Sequence, residues 1–158
     1  MGINNIFEKE TEVSNQLVCI SGAFDPLHLG HIRLIQGCKY FGNIVIILNS
    51  DEWAKKTHGF MLTPWHDRRE ILLHIKDVSG VVPVDDDDGT VCEALRRVKP
   101  NIFANGGKRI KRNTPERQIC EELNIKMIWG IGGGEREQYT DHIYDVMEQA
   151  IKNKMENK

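Results

Sequence analysis

The sequence predicts an α/β protein built around a parallel β-sheet that is covered by helices on both faces. Five short apolar segments alternate along the chain with segments of helical periodicity, which is typical of βα units. Residues 44–48 form a continuous, mostly β-branched apolar run, the pattern of a strand buried on both faces. The length of 158 residues and the hydrophobic content of 40% are sufficient for one domain with a proper core.

Each element has its own local signal. Strands are predicted at residues 17–20, 44–48, 81–84, 101–104 and 126–130. The third is short and contains Pro83, which places it near an edge of the sheet. Thr63-Pro64 and Thr114-Pro115 each predict a helix start, with threonine as the cap and proline at the first position. Helices are predicted to begin near Gly30, Pro64, Thr90, Pro115 and Asp141, with lengths of about ten to fifteen residues.

No internal repeat or low-complexity linker interrupts this pattern. We therefore expect an N-terminal arm at residues 1–16 and a single domain at 17–154. The net charge of −2 argues against nucleic acid as a partner, and the longest apolar stretch, 44–48, is too short to span a membrane. The N-terminus lacks a signal-peptide pattern, and the four scattered cysteines predict small hydrophobic side chains in a reducing, cytoplasmic setting.

The first strand, turn and helix carry the strongest functional signal. The strand breaks at Ser21-Gly22, and two histidines, His28 and His31, stand where the helix begins. At this i,i+3 spacing both imidazoles face one pocket, beside backbone N–H groups that attract anions. This arrangement is suited to binding phosphate oxygens. A single histidine is more often a surface or core residue, and a zinc pair would have only Asp25 nearby in sequence to complete it.

The segment Gly22-Ala-Phe-Asp-Pro-Leu-His-Leu-Gly-His31 resembles the signature of the cytidylyltransferase-like nucleotidyltransferases. That superfamily includes glycerol-3-phosphate and choline-phosphate cytidylyltransferases and pantetheine-phosphate, nicotinamide-mononucleotide and heptose-phosphate adenylyltransferases. The resemblance implies a Rossmann-like sheet of order 3-2-1-4-5, with ligands at the carboxyl ends of the strands. It also implies nucleotidyl transfer, in which a phosphorylated small molecule attacks the α-phosphorus of a nucleoside triphosphate.

The resemblance assigns roles around this motif. By similarity, His28 and His31 contact the α- and β-phosphates, and Asp25 fixes the turn or faces the incoming substrate. Backbone contacts to the nucleotide, or room for its close approach, are expected at four further positions: Gly22, Ala23, Phe24 and Gly30. Many relatives have threonine where this chain has Ala23.

Further basic residues follow the second strand. Relatives place a lysine on a mobile loop here to clamp the triphosphate, which points to Lys55 or Lys56, although adjacent lysines are usually a solvated pair. Asp51 and Trp53 are expected at the acceptor site. Arg68 aligns with an arginine that reaches the transferring phosphates, against the alternative of an exposed helical ion pair.

Two later segments complete the expected site. After the fourth strand, glycines and cations suited to ligand contact occur at Gly106, Gly107, Lys108 and Arg109. After the fifth strand, the glycine-rich run departs from the hydroxyl-rich segments of relatives. Only Arg136, Thr140 and backbone N–H groups could replace those hydroxyls there, so the resemblance covers about residues 17–130.

The expected activity is therefore Mg²⁺-dependent nucleotidyl transfer, with CTP favoured and the ion held mainly by the triphosphate and water. One alternative is an adenylyltransferase of the same fold that uses ATP. Others are a nucleotide-binding module without catalysis and, more distantly, a flavodoxin-like redox domain. The resemblance also implies a homodimer.

Overall fold

The computed structural model of the chain describes residues 15–107, 109–111, 114–133 and 137–157, without the side chains of 137–141. Its five strands form one all-parallel sheet in the order β3-β2-β1-β4-β5. The predicted α/β class and strand order are confirmed, and the proline-containing β3 is an edge strand as predicted. The strands are β1 Leu17–Gly22, β2 Asn43–Leu48, β3 Val78–Pro83, β4 Ile102–Ala104 and β5 Lys126–Ile128. The helices are α1 Leu29–Cys38, α2 Asp51–His58, α3 Trp65–Leu73, α4 Cys92–Val98, α5 Arg117–Glu122 and α6 Glu137–Glu156.

Helix α2 differs from the expectation, since the sequence predicts no helix between β2 and Pro64 and the resemblance implies a loop there. Only Ala54 of this helix is buried, so the segment has no apolar periodicity that would predict a helix. Its ends are nevertheless capped: the Ser50 hydroxyl accepts from the Trp53 N–H at 3.0 Å, and Gly59 has the left-handed φ of 83° that often closes a helix. The capping residues were the available signal in the sequence.

The other helices differ from the prediction at their ends. Helix α3 begins at Trp65, and Thr63 does not cap it, since no side-chain cap hydrogen bond is present there. The helices range from 6 residues in α5 to 20 in α6, a wider spread than the ten to fifteen expected. Short segments such as α5 are stabilised by packing on the sheet rather than by their own length.

The core lies on both faces of the sheet. Val18 and Ile20 of β1 pack in one cluster with α1 and α3, whereas Cys19 packs in the other cluster with α4 and α5. Three cysteines are buried among these apolar side chains, as predicted, and burial raises the pKa of the Cys19 thiol to about 12. None of the helices in the described part of the chain is both long enough and apolar enough to cross a bilayer.

Gly42, just before β2, provides a test of the fold. Its φ is 152°, and a Cβ atom there would lie 2.1 Å from the Gln16 carbonyl oxygen. Gly42→Ala is expected to lower the free energy of unfolding by about 2 kcal/mol or more, because the strain and the backbone clash add. The matched control Gly59→Ala meets no atom within 4 Å, so only its left-handed backbone opposes it, at about 1 kcal/mol. Equal losses of stability for Gly42→Ala and Gly59→Ala in urea unfolding would contradict the expected effect of the clash.

Candidate functional site

The two motif histidines cap helix α1 reciprocally. His28 occupies the N-cap position with an extended backbone, and its Nδ1 accepts from the Gly30 N–H at 3.1 Å. His31 accepts the His28 N–H through its own Nδ1 at 3.3 Å. Both side chains therefore satisfy N–H groups that a helix start leaves without intrahelical partners.

This capping assigns the tautomer of each ring. Because both Nδ1 atoms accept hydrogen bonds, the proton of each neutral imidazole lies on Nε2, the nitrogen that can donate to an anion. The two rings stack with centroids 3.8 Å apart, and the Phe24 ring lies 4.6 Å from that of His31. The histidines are thus held side by side at a helix N-terminus, whose dipole favours negative charge.

A cavity of about 180 Å³, here called the histidine groove, opens beside these rings. It lies where β1 and β4 end and α1 begins, the position at which ligands bind in open parallel sheets. Its lining comprises Ser21, His28, His31, Leu34, Ala104, Asn105, Gly106 and Arg109.

Four of the predicted site residues line this groove: His28, His31, Gly106 and Arg109. Ser21 and Asn105 were not among the predicted contacts, although both stand at a strand end, which was the signal available in the sequence. Asn105 is buried and joins β4 to β5, because its N–H donates to the Ile128 carbonyl at 2.8 Å. Its own carbonyl accepts from the Ile131 N–H at 3.2 Å.

Arg109 brings positive charge to the groove. Its Nη1 lies 3.2 Å from Oε2 of Glu116, whose side chain is 1% exposed, whereas the Arg109 side chain is 38% exposed. The guanidinium is thus anchored by a buried carboxylate while Arg109 still lines the groove. Gly107, two residues earlier, has a left-handed φ of 65°, a conformation that glycine adopts readily.

The residues between the first strand and the histidines hold the turn itself. Asp25 is buried, and its Oδ2 accepts from the N–H groups of Leu62 at 2.7 Å and Thr63 at 3.4 Å. Of the two roles expected for Asp25, this contact corresponds to fixing the turn. Ala23 and Phe24 are also buried, and Gly30 uses its N–H on His28. Phe24 has a left-handed φ of 52°, a strained conformation that often occurs at functional sites.

Arg68 is buried, and its guanidinium donates to three backbone carbonyls and one carboxylate. The acceptors are Thr63 O at 2.9 Å, Ala23 O at 2.7 Å, Asn49 O at 3.1 Å and Asp51 Oδ1 at 2.6 Å. The alternative of an exposed helical ion pair is wrong, since the Arg68 side chain is 1% exposed. In this structure Arg68 holds loops together, and its contact with the transferring phosphates stays a prediction.

The residues predicted at the acceptor site and the two lysines predicted to clamp the triphosphate lie on helix α2. None of them lines the histidine groove. Asp51 is engaged by Arg68 and lines a shallow cavity with Trp65 and His66. Trp53 and Lys56 line a larger cavity of about 430 Å³ between α2 and the acidic loop at residues 85–89, here called the α2 cavity. Lys55 is exposed on α2 and does not line the α2 cavity. Both lysines therefore belong to a helix rather than to the expected mobile loop.

Three predicted residues cannot be placed. Lys108 and Arg136 lie outside the described residues, as does the side chain of Thr140.

The groove fits an anion better than a resident metal. Its polar lining comprises imidazoles, a guanidinium, an amide and a hydroxyl, with no carboxylate, whereas Mg²⁺ prefers oxygen ligands. Across the described ranges, no group of three or more histidine, cysteine, aspartate or glutamate side chains could hold a metal ion. In the acidic loop, Asp86 is buried and accepts from the Asn49 amide at 2.8 Å and the Ser50 hydroxyl at 2.6 Å. Asp86 thus connects this loop to the end of β2, and it also lines the α2 cavity.

The chain is similar in sequence to known proteins. Bifunctional protein HldE of Sulfurimonas denitrificans is 30% identical over 126 residues, which are 78% of this chain and 26% of that protein. The chain thus spans about a quarter of the length of this relative. FAD synthase of Pyrococcus abyssi is 34% identical over 91 residues, which are 56% of this chain and 61% of that protein.

A solved structure supports the fold. The lipopolysaccharide core biosynthesis protein of Thermoplasma volcanium superposes with a TM-score of 0.62 and 22% identity, covering 72% of this chain and 94% of that one. A sequence model described as cytidylyltransferase-like matches residues 19–133, which is well over half of the chain. The chain therefore belongs to the cytidylyltransferase-like family.

Proposed function

We propose that this domain is a nucleotidyltransferase whose histidine groove holds the phosphates of a nucleoside triphosphate. The observation that carries the proposal is the pair of stacked imidazoles, each held through Nδ1 so that Nε2–H is the donor. Beside them stand a helix N-terminus and the guanidinium of Arg109. All of these groups favour negative charge, and the lone pair of each imidazole is engaged at Nδ1, so neither ring is arranged as a nucleophile.

The proposed reaction needs no protein nucleophile. A phosphate oxygen of the acceptor forms a bond to the α-phosphorus, the bond from that phosphorus to the bridging oxygen breaks, and its electron pair leaves with pyrophosphate. Because the acceptor phosphate is already anionic at neutral pH, no strong base is required, and catalysis rests on positioning and charge stabilisation. His28, His31 and Arg109 would stabilise charge that develops on the phosphate oxygens. Mg²⁺, carried by the triphosphate, would neutralise part of that charge when bound.

The α2 cavity is the proposed acceptor site. It is larger than the histidine groove, and its lining combines the Trp53 ring and the Lys56 ammonium with three acidic residues, Glu52, Asp86 and Asp87. Lys56 would contact an acceptor or nucleotide phosphate, and the carboxylates would accept hydrogen bonds from acceptor hydroxyl groups. Lys55 does not line this cavity. The resemblance implies a homodimer, and we keep this as a proposal. Light scattering would test it.

The relatives favour adenine over cytosine as the transferred base. FAD, the product that names the Pyrococcus relative, carries an adenosine moiety, so that protein provides a precedent for an adenine nucleotide. We therefore propose ATP as the first nucleotide to test, with CTP as the second. The lining of the groove does not itself discriminate between the two bases.

The test is pyrophosphate release with each of four nucleoside triphosphates, measured against a panel of phosphorylated sugars, alcohols and cofactor precursors. We expect release with one nucleotide and one class of acceptor, dependent on Mg²⁺. The double variant His28→Ala/His31→Ala is the negative control. Binding of a nucleotide without pyrophosphate for any acceptor would instead support the binding-module alternative. Absence of both binding and turnover would contradict the proposal.

A further inference from the structure

A buried carboxylate, Glu116, contacts Arg109, one of the residues that line the histidine groove. Glu116 is 1% exposed, yet it is an acidic residue, which is costly to bury unless its charge is paired and hydrogen-bonded. Among the described residues it has two donors: the Val91 N–H lies 3.1 Å from Oε1, and Arg109 Nη1 lies 3.2 Å from Oε2. One oxygen therefore holds the start of α4, and the other holds an arginine of the groove.

The Glu116 side chain is held from two sides, by the Val91 N–H and by the Arg109 guanidinium. A buried carboxylate with a donor at each oxygen has few alternative orientations. The arginine that pairs with it is therefore held in one place as well.

We propose that Glu116 is a positioning residue for nucleotide binding, acting through Arg109. A guanidinium has five N–H groups, so one hydrogen bond to Glu116 leaves it the capacity to donate to phosphate oxygens as well. An unrestrained arginine would lose side-chain entropy on ordering around a ligand. Anchoring by Glu116 removes much of that loss before the nucleotide arrives. This inference rests on the proposed function.

The substitution that separates positioning from packing is Glu116→Gln. Glutamine has nearly the same shape and can still accept from the Val91 N–H, but it has no charge to hold Arg109. We expect the Kd for ATP or CTP, whichever the wild type binds, to rise roughly tenfold, the effect of one charge-assisted hydrogen bond. A purely structural role would lower the melting temperature and leave Kd unchanged.

A double-mutant cycle with Arg109→Ala makes the test specific. If Glu116 acts through Arg109, Arg109→Ala alone and the double variant Arg109→Ala/Glu116→Gln should bind the nucleotide equally. If Glu116→Gln alone does not fold, Glu116→Asp, which keeps the charge but shortens the side chain, takes its place in the cycle with the same expected results. The matched control is Glu121→Gln, which removes the charge from an exposed ion pair of α5, 3.1 Å from Arg117, and should not change Kd.

Calorimetric titration of each folded variant with ATP and with CTP gives the outcome. Weaker binding by Glu116→Gln that vanishes in the Arg109→Ala background supports the inference. Unchanged binding by Glu116→Gln, or different affinities of Arg109→Ala and the double variant, overturns it while leaving the proposed function intact. Failure of the wild type to bind either nucleotide overturns the proposed function and this inference with it.

Discussion

Replacing His31 by alanine is expected to lower turnover by about a hundredfold or more, the typical effect of removing one donor to a developing oxyanion. The fold should survive, because His31 is only half-buried and its position in α1 tolerates alanine. The measurement is the rate of pyrophosphate release at saturating nucleotide and acceptor. Turnover close to that of the wild type would show that His31 does not stabilise charge in the reaction.

Alanine at position 31 also removes a hydrogen bond that caps helix α1. Two further variants separate the loss of this cap from the loss of the Nε2 donor. Asparagine can accept the His28 N–H, as Nδ1 of His31 does at 3.3 Å, but it places no donor where Nε2 stands. His31→Asn should therefore lose as much turnover as His31→Ala, whereas His31→Gln, whose amide reaches further, should recover part of it. The control is His74→Ala at the exposed end of α3, which should leave turnover unchanged.

Replacing Arg68 by alanine is expected to lower the free energy of unfolding by about 3–5 kcal/mol, the range for removing one member of a buried, hydrogen-bonded charge pair. The variant leaves the carbonyls of Ala23 and Asn49 and the carboxylate of Asp51 without this donor. Arg68→Lys should also be strongly destabilising, because a lysine cannot reproduce the fork that reaches several acceptors at once. Urea denaturation measures both variants.

The adjacent Arg69→Ala is the matched control for this prediction. Arg69 is exposed on the same helix, so its removal should change stability by no more than about 0.5 kcal/mol. Wild-type stability of the Arg68→Ala variant, together with weaker nucleotide binding, would support the contact between Arg68 and phosphate that the resemblance implied. A loss of stability would instead support the role that its hydrogen bonds indicate.

The architecture could be predicted because its signals are local. The β-branched run of β2 and the proline of β3 express burial and edge position in the residues themselves. Helix α2 was missed because its single buried residue, Ala54, leaves no apolar stripe. Its capping residues, Ser50 and Gly59, were equally local signals.

The residues of the candidate site also differ in whether the local sequence could predict their roles. His28 and His31 could be recognised because the motif lies in one continuous segment, where helix geometry alone brings the two rings together. Arg68 could not be understood in this way, since its acceptors include Ala23, 45 residues away in the chain. An arginine on a polar helix looks the same in sequence whether it faces solvent or the interior.

By itself, the sequence determined the class of the fold, the succession of its five strands along the chain and the pair of histidines at the first helix. Only the tertiary structure decided that Arg68 and Asp86 are buried and that Glu116 contacts Arg109. The physical reason is that helix and strand patterns report how each residue meets its immediate neighbours. The environment of a charged side chain instead depends on donors and acceptors that the chain brings together from distant positions.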